Sequence, residues 1–169
     1  MPRGLKETSS TIGIGFSAVQ SGADVFAQST IDLNLDPLNQ EVFVVQSINL
    51  DPTPPDAQDG VNSETGASLT TTSQTTLATL AIANCLATAR LDVRSSAPGG
   101  MVSFTRASTE APSTGLEYIG IIATNNFFVQ IDSANNLVAK SVTGKVYGYR
   151  ARADAAIYSA LVSSEVLSA

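Results

Sequence analysis

Histidine and tryptophan are missing altogether from this chain of 169 residues, and cysteine occurs once. Without imidazole the Ser-His-Asp and Cys-His arrangements cannot be assembled, and neither can a zinc site built on histidine nitrogens. The lone Cys85 forms no internal disulfide and no thiolate cage, so nothing points to an oxidised secreted scaffold. Charge is scarce too: Asp, Glu, Lys and Arg make up 14% of the chain, against roughly 25% in ordinary soluble domains. A surface so poor in charge is weakly protected against association, which suits a sticky monomer or a subunit whose faces are covered by neighbours. No stretch reaches the roughly 20 apolar residues of a membrane span. The opening MPRGLKETSSTIG lacks the apolar core of a signal peptide, so a soluble product made in a cytoplasm is expected. Asn-x-Ser/Thr acceptors are also absent, which removes another hint of a secretory route.

What fills the chain is apolar and neutral-polar. Hydrophobic residues account for 43%, and Ser, Thr, Asn and Gln supply most of the polarity. At this length one domain buries roughly two thirds of its unfolded surface without cross-links, so a single core is expected. The formal charge of −6 argues against a free-standing nucleic-acid binder, whose affinity rests on cations neutralising phosphates. Four cations nonetheless gather late in the chain: Lys140, Lys145, Arg150 and Arg152. Lys140, Arg150 and Arg152 share parity and would face one way on an unbent strand. The plainer expectation is a solvated strand face or cross-strand pairing with carboxylates. The functional one is a weakly basic surface beside packaged nucleic acid. Arg3 and Lys6 are too sparse to form a basic arm.

Along the chain the dominant signal is β-structure. Thr11 to Phe26 contains three glycines and no helix-favouring run, which predicts loosely formed strand or an extended arm, and residues 1–22 are expected to form a loosely structured arm preceding a single domain over 23–169. STIDLNLDP, from Ser29, and EVFVVQSINLDP, from Glu41, alternate with period two, and each Asp-Pro is a strand exit. DPTPPDAQDGVNSETGAS, Asp51 to Ser68, reads as the longest loop. Thr76 to Leu91 is ambiguous, with strands about a turn near Asn84 preferred to a short helix. Further strands are expected at MVSFTRAST, at LEYIGIIAT and at NNFFVQID, the last with Phe127, Val129 and Ile131 on one face. LVAKSVTGKVYGYRARAD is long for one flat strand, so Gly144 and Gly148 are expected to mark bulges or a bend. The tail is a final strand or a short C-terminal helix. Roughly eight to ten short strands at this spacing describe an all-β sandwich or barrel.

Motifs that carry chemistry are few. Gly13-x-Gly15-x-x-Ala18 matches a loose dinucleotide fingerprint but lacks the strand before it and the helix after it, so strand or flexible glycines are the better reading. Asp51, Asp56 and Asp59 in the Pro-rich loop could converge on a calcium ion together with carbonyl oxygens; a plain solvated loop is the alternative. No other metal, no catalytic residue and no cofactor is indicated.

The histidine-free, Ser/Thr/Ala-rich, strand-dominated chain, closing with VAKSVTGKVYGYRARAD, resembles the single jelly-roll coat proteins of small tailless icosahedral viruses. The likeness is one of pattern across most of the chain, without a diagnostic motif, and it transfers no residue role. It implies an antiparallel, two-sheet sandwich of jelly-roll type that assembles with copies of itself, and with other virion proteins, into a shell. A non-enzymatic capsid subunit residing in the virion is therefore expected, with weak or indirect contact with nucleic acid, because the basic N-terminal arm of many such coats is missing. The alternatives are a phage tail, fibre or decoration protein, and a ligand-binding β-sandwich of a cell surface.

Overall fold

Alternation of apolar and polar side chains builds two antiparallel sheets packed face to face. The structure, a computed structural model, describes residues 3–96, 99–106, 109–110 and 115–167. Its strands are β1 (Leu5–Glu7), β2 (Ile12–Val19), β3 (Ala27–Asp32), β4 (Glu41–Pro52), β5 (Ser63–Thr70), β6 (Cys85–Ser96), β7 (Gly100–Arg106), β8 (Thr109–Glu110), β9 (Gly120–Ile122), β10 (Asn126–Ala134) and β11 (Ser141–Ala153). A helix, α1 (Ala155–Leu167), follows the last strand.

In the first sheet β11 lies between β4 and the pair β1 and β2, while β8 and β9 line the far edge of β4. The second sheet runs β3-β10-β5-β6-β7. The pairing is nested: β2 with β11, β3 with β10, β4 with β9, and β5 with β6. A long antiparallel ribbon wrapped so that alternate pairs fall in opposite sheets gives this order, which is the winding of a jelly roll. Phe127, Val129 and Ile131 do share one face and are fully buried. They meet Phe16, Phe43, Ile48 and Leu50 from the facing sheet, with the Phe16 and Phe127 rings edge to face at 5.9 Å. A smaller core lies on the outer face of the first sheet. There Ile157, Tyr158, Leu161 and Val162, one stripe of α1, cover Leu5, Val42, Val44, Tyr149 and Ala151.

Several expectations are corrected. Residues 12–19, read as loosely formed strand or extended arm, are a full strand rather than an arm, because Phe16 and Ala18 point into the core. SETGAS is strand rather than loop, since Ala67 and Leu69 face inward and the segment after it folds back over the other side. That segment, 71–84, is neither strand nor helix; its buried Ala78 donates its N–H to Ser68 Oγ at 3.2 Å. LEYIGIIAT contributes only the three residues of β9. β11 runs unbroken for 13 residues; the register shift falls at Tyr147/Gly148, in line with the expectation for Gly148 but not for Gly144, and the extra residue is supplied by β4. There Ser47 opposes Tyr147 and Val45 opposes Gly148, leaving Gln46 as the extra residue. The extra residue switches parity, so that Phe43 and Val45 before it and Ile48 and Leu50 after it all face the core. Gly144 and Gly148 answer to space: a Cβ at Gly148 would lie 2.7 Å from a Phe43 ring carbon, and one at Gly144 would lie 2.6 Å from a Phe16 ring carbon.

Candidate functional site

Two ends of the sandwich gather the polar side chains. At the end formed by loops 20–26, 53–62 and 135–140, prolines at 52, 54 and 55 deny the chain the amides a ladder needs, and Asp56 follows them. The Asp56 carboxylate accepts from Lys140 Nζ at 2.6 Å and from the Leu137 N–H at 2.7 Å. The Lys140 hydrogen bond, helped by that backbone N–H, holds the Asp56 carboxyl below the usual carboxylate range. Gln20 Oε1 accepts from the Lys140 N–H at 2.9 Å and from Ser133 Oγ at 3.0 Å. Asp24, in the left-handed region at φ 57°, accepts from Ser133 Oγ at 3.0 Å and from the Asn136 N–H at 3.2 Å. Asn136 Nδ2 donates to the Glu64 carbonyl at 3.0 Å. Three loops are thereby tied to one another and to β5, and they hold Val25, Leu137 and Val138 out to solvent beside Val19 at the end of β2.

The expected basic surface is not assembled. Lys140 is 3% exposed and paired with Asp56; it precedes β11, where strand parity has no meaning. Arg150 lies at the opposite end, where Nη1 meets Glu41 Oε2 at 3.0 Å and Nη2 donates to the Leu33 carbonyl at 2.7 Å, so it ties the sheets together. Lys145 sits on the outer face of the first sheet with Nζ 6.0 Å from the Tyr147 ring centroid. Arg152 is exposed, on the other parity of the same strand. The three aspartates do not converge either. Asp51 opposes Thr143 in the sheet, Asp56 is committed to Lys140, and Asp59 Oδ1 accepts from the Gly99 N–H at 3.0 Å. Among the described residues no group of three or more Asp, Glu, Cys or His side chains is placed to hold a metal ion. Gly13 and Gly15 belong to β2, in line with the strand reading of that motif.

Sequence reasoning missed Glu165. Its two carboxylate oxygens accept from the N–H groups of Ala123, at 3.1 Å, and Thr124, at 2.9 Å, and so pin α1 to the connection between β9 and β10. Burial pushes the Glu165 carboxyl up, and the two N–H donors only partly oppose it. The residue sits eight positions after Ile157, on the helix stripe that packs down, but that signal exists only once α1 is known to be a helix.

The least protected surface is the edge strand β7. Among the described residues it pairs only with β6, in unbroken register. Met101, Val102 and Phe104 are each 43–56% exposed, with none of the lysines, prolines or bulges that usually guard an edge.

No family model matches the chain, and no curated protein matches it. Among solved structures, a chain titled Desmodium yellow mottle tymovirus is similar over 92% of this chain and 95% of its own length, with 7% identity and a TM-score of 0.30.

Proposed function

We propose that this chain is a non-enzymatic structural protein that assembles from copies of itself, as the coat subunit of a virion. The observation that carries the reading is the nested jelly-roll winding of the strands, an architecture used by viral shells as well as lectins and cupins. The surface favours the shell among these. Large apolar side chains stand exposed on loops stiffened by a buried polar network, and charge that would oppose association is sparse. Neither the dispersed cations nor the separated aspartates offer a ligand site to compete with that reading. Contact with nucleic acid is correspondingly weak or indirect, since Lys140 and Arg150 are consumed in internal pairs.

Negative-stain microscopy of the purified chain tests this. Closed shells are expected. Tubes or rods would replace the coat reading with a tail or fibre protein, and dispersed monomers that bind a small ligand would replace it with a recognition module.

A further inference from the structure

Strand β7 ends the second sheet with one side of its backbone unpaired among the described residues, and a row of free N–H and C=O groups is completed by another strand. We infer that the occupant is β7 of a second copy, antiparallel across a two-fold axis at Ser103, which joins two five-stranded sheets into one of ten. This rests on the self-assembly reading above and names one of its contacts. The argument is self-complementarity. Full overlap of the seven residues Gly100–Arg106 with themselves centres on Ser103. Val102 then falls opposite Phe104 of the other copy, and Phe104 opposite its Val102. These two residues share a face, since they oppose Arg94 and Asp92 on β6, so each row across the seam joins a β-branched residue to an aromatic one, a favourable cross-strand pair. An axis moved by one residue would shorten the overlap and place Val102 or Phe104 opposite itself or an unlike neighbour. The contact is isologous and closes on itself, so it ends after two copies and leaves the loop ends free for the other contacts of a shell.

Cysteine cross-linking reads the register. Residues directly opposite in an antiparallel pair have Cα atoms about 4.5–5.5 Å apart, within the range a disulfide spans. In a Cys85→Ser background, Ser103→Cys alone should give a covalent dimer on air oxidation. Met101→Cys alone should not, whereas Met101→Cys mixed with Thr105→Cys should. Val102→Lys, at an exposed position and with an unchanged far-UV circular dichroism spectrum, should abolish the Ser103→Cys dimer. Sedimentation of the same samples separates the two levels. Assembled material in which Ser103→Cys does not cross-link, or cross-links no more than an exposed control at Leu116→Cys, overturns the β7 contact and leaves self-assembly standing. Material that stays monomeric at all concentrations overturns both.

Discussion

At the scale of single residues, the fold is held by groups whose partners lie far off in sequence. Lys140 and Asp56 are 84 positions apart, and removing one leaves the other desolvated without a counter-charge. Asp56→Ala should cost about 2–3 kcal/mol in urea unfolding, less than the roughly 3–5 kcal/mol for a fully buried pair because Asp56 is a quarter exposed. A change below half a kcal/mol, roughly what an ordinary surface substitution gives, would show that the pair is solvated. The sign of the pH effect follows from the depressed Asp56 pKa. Its stabilisation is present above 3.8, its ordinary value, and is lost as pH falls through the lower folded pKa, because the unfolded chain takes up the proton first. Asp56→Asn should therefore flatten the acid limb of the stability profile. In the core, Phe127→Ala should cost about 3–5 kcal/mol, and Gly148→Ala about 1–3 kcal/mol through overpacking against the Val44 carbonyl and the Phe43 ring. The first was legible in the sequence, because parity alone puts Phe127 with Val129 and Ile131. The second was not, since only the three-dimensional approach of Phe43 shows why the position must be glycine.

At the scale of elements, alternation located β3, β4, β10 and β11, because each presents one apolar face to the interior; β7 was located by its β-branched and aromatic residues, although Met101, Val102 and Phe104 stand exposed. Alternation failed where burial came from elsewhere. β5 carries Glu64, Thr65, Gly66 and Ser68, a composition typical of loops. The strand persists because segment 71–84 roofs its outer side, with Ser68 Oγ donating to Gln130 Oε1 at 2.8 Å beneath it. The stretch around Tyr118 has strong β-propensity yet pairs over only three residues, because it serves as a short edge to β4 and then packs beneath α1. Whether the tail was strand or helix was undecidable from pattern, since its apolar face has meaning only against Val42 and Val44. Docking of α1 carries its own pH signature. The Glu165 carboxyl titrates above its ordinary 4.5 in the fold, so between that value and its folded pKa the native state holds more protons than the unfolded one, and stability declines as pH rises. The contribution is complete below 4.5 and gone above the folded pKa. Glu165→Gln should remove this part of the decline, as measured by urea midpoints from acid to neutral pH. An unchanged slope would mean that the carboxyl is not desolvated under α1.

At the scale of the whole molecule, the composition and the fold make one argument. On the proposed self-assembly reading, a chain with 14% charged residues and exposed apolar side chains on an edge strand and near stiffened loops would associate through apolar contact rather than ion pairing. Its assembly should therefore persist at about 1 M salt, where the Debye length is only about 3 Å; a shell held together by protein–phosphate contacts would come apart there. Strand spacing anticipated a sandwich or barrel and the resemblance to viral coat proteins implied a jelly roll, whereas the placement of Lys140 and Arg150 lay in long-range pairs that no spacing encodes. Sedimentation velocity of the purified chain at physiological salt tests self-assembly most directly. The account predicts a discrete species many times heavier than the 17.5 kDa chain; a single 17.5 kDa boundary that persists as concentration is raised would contradict it.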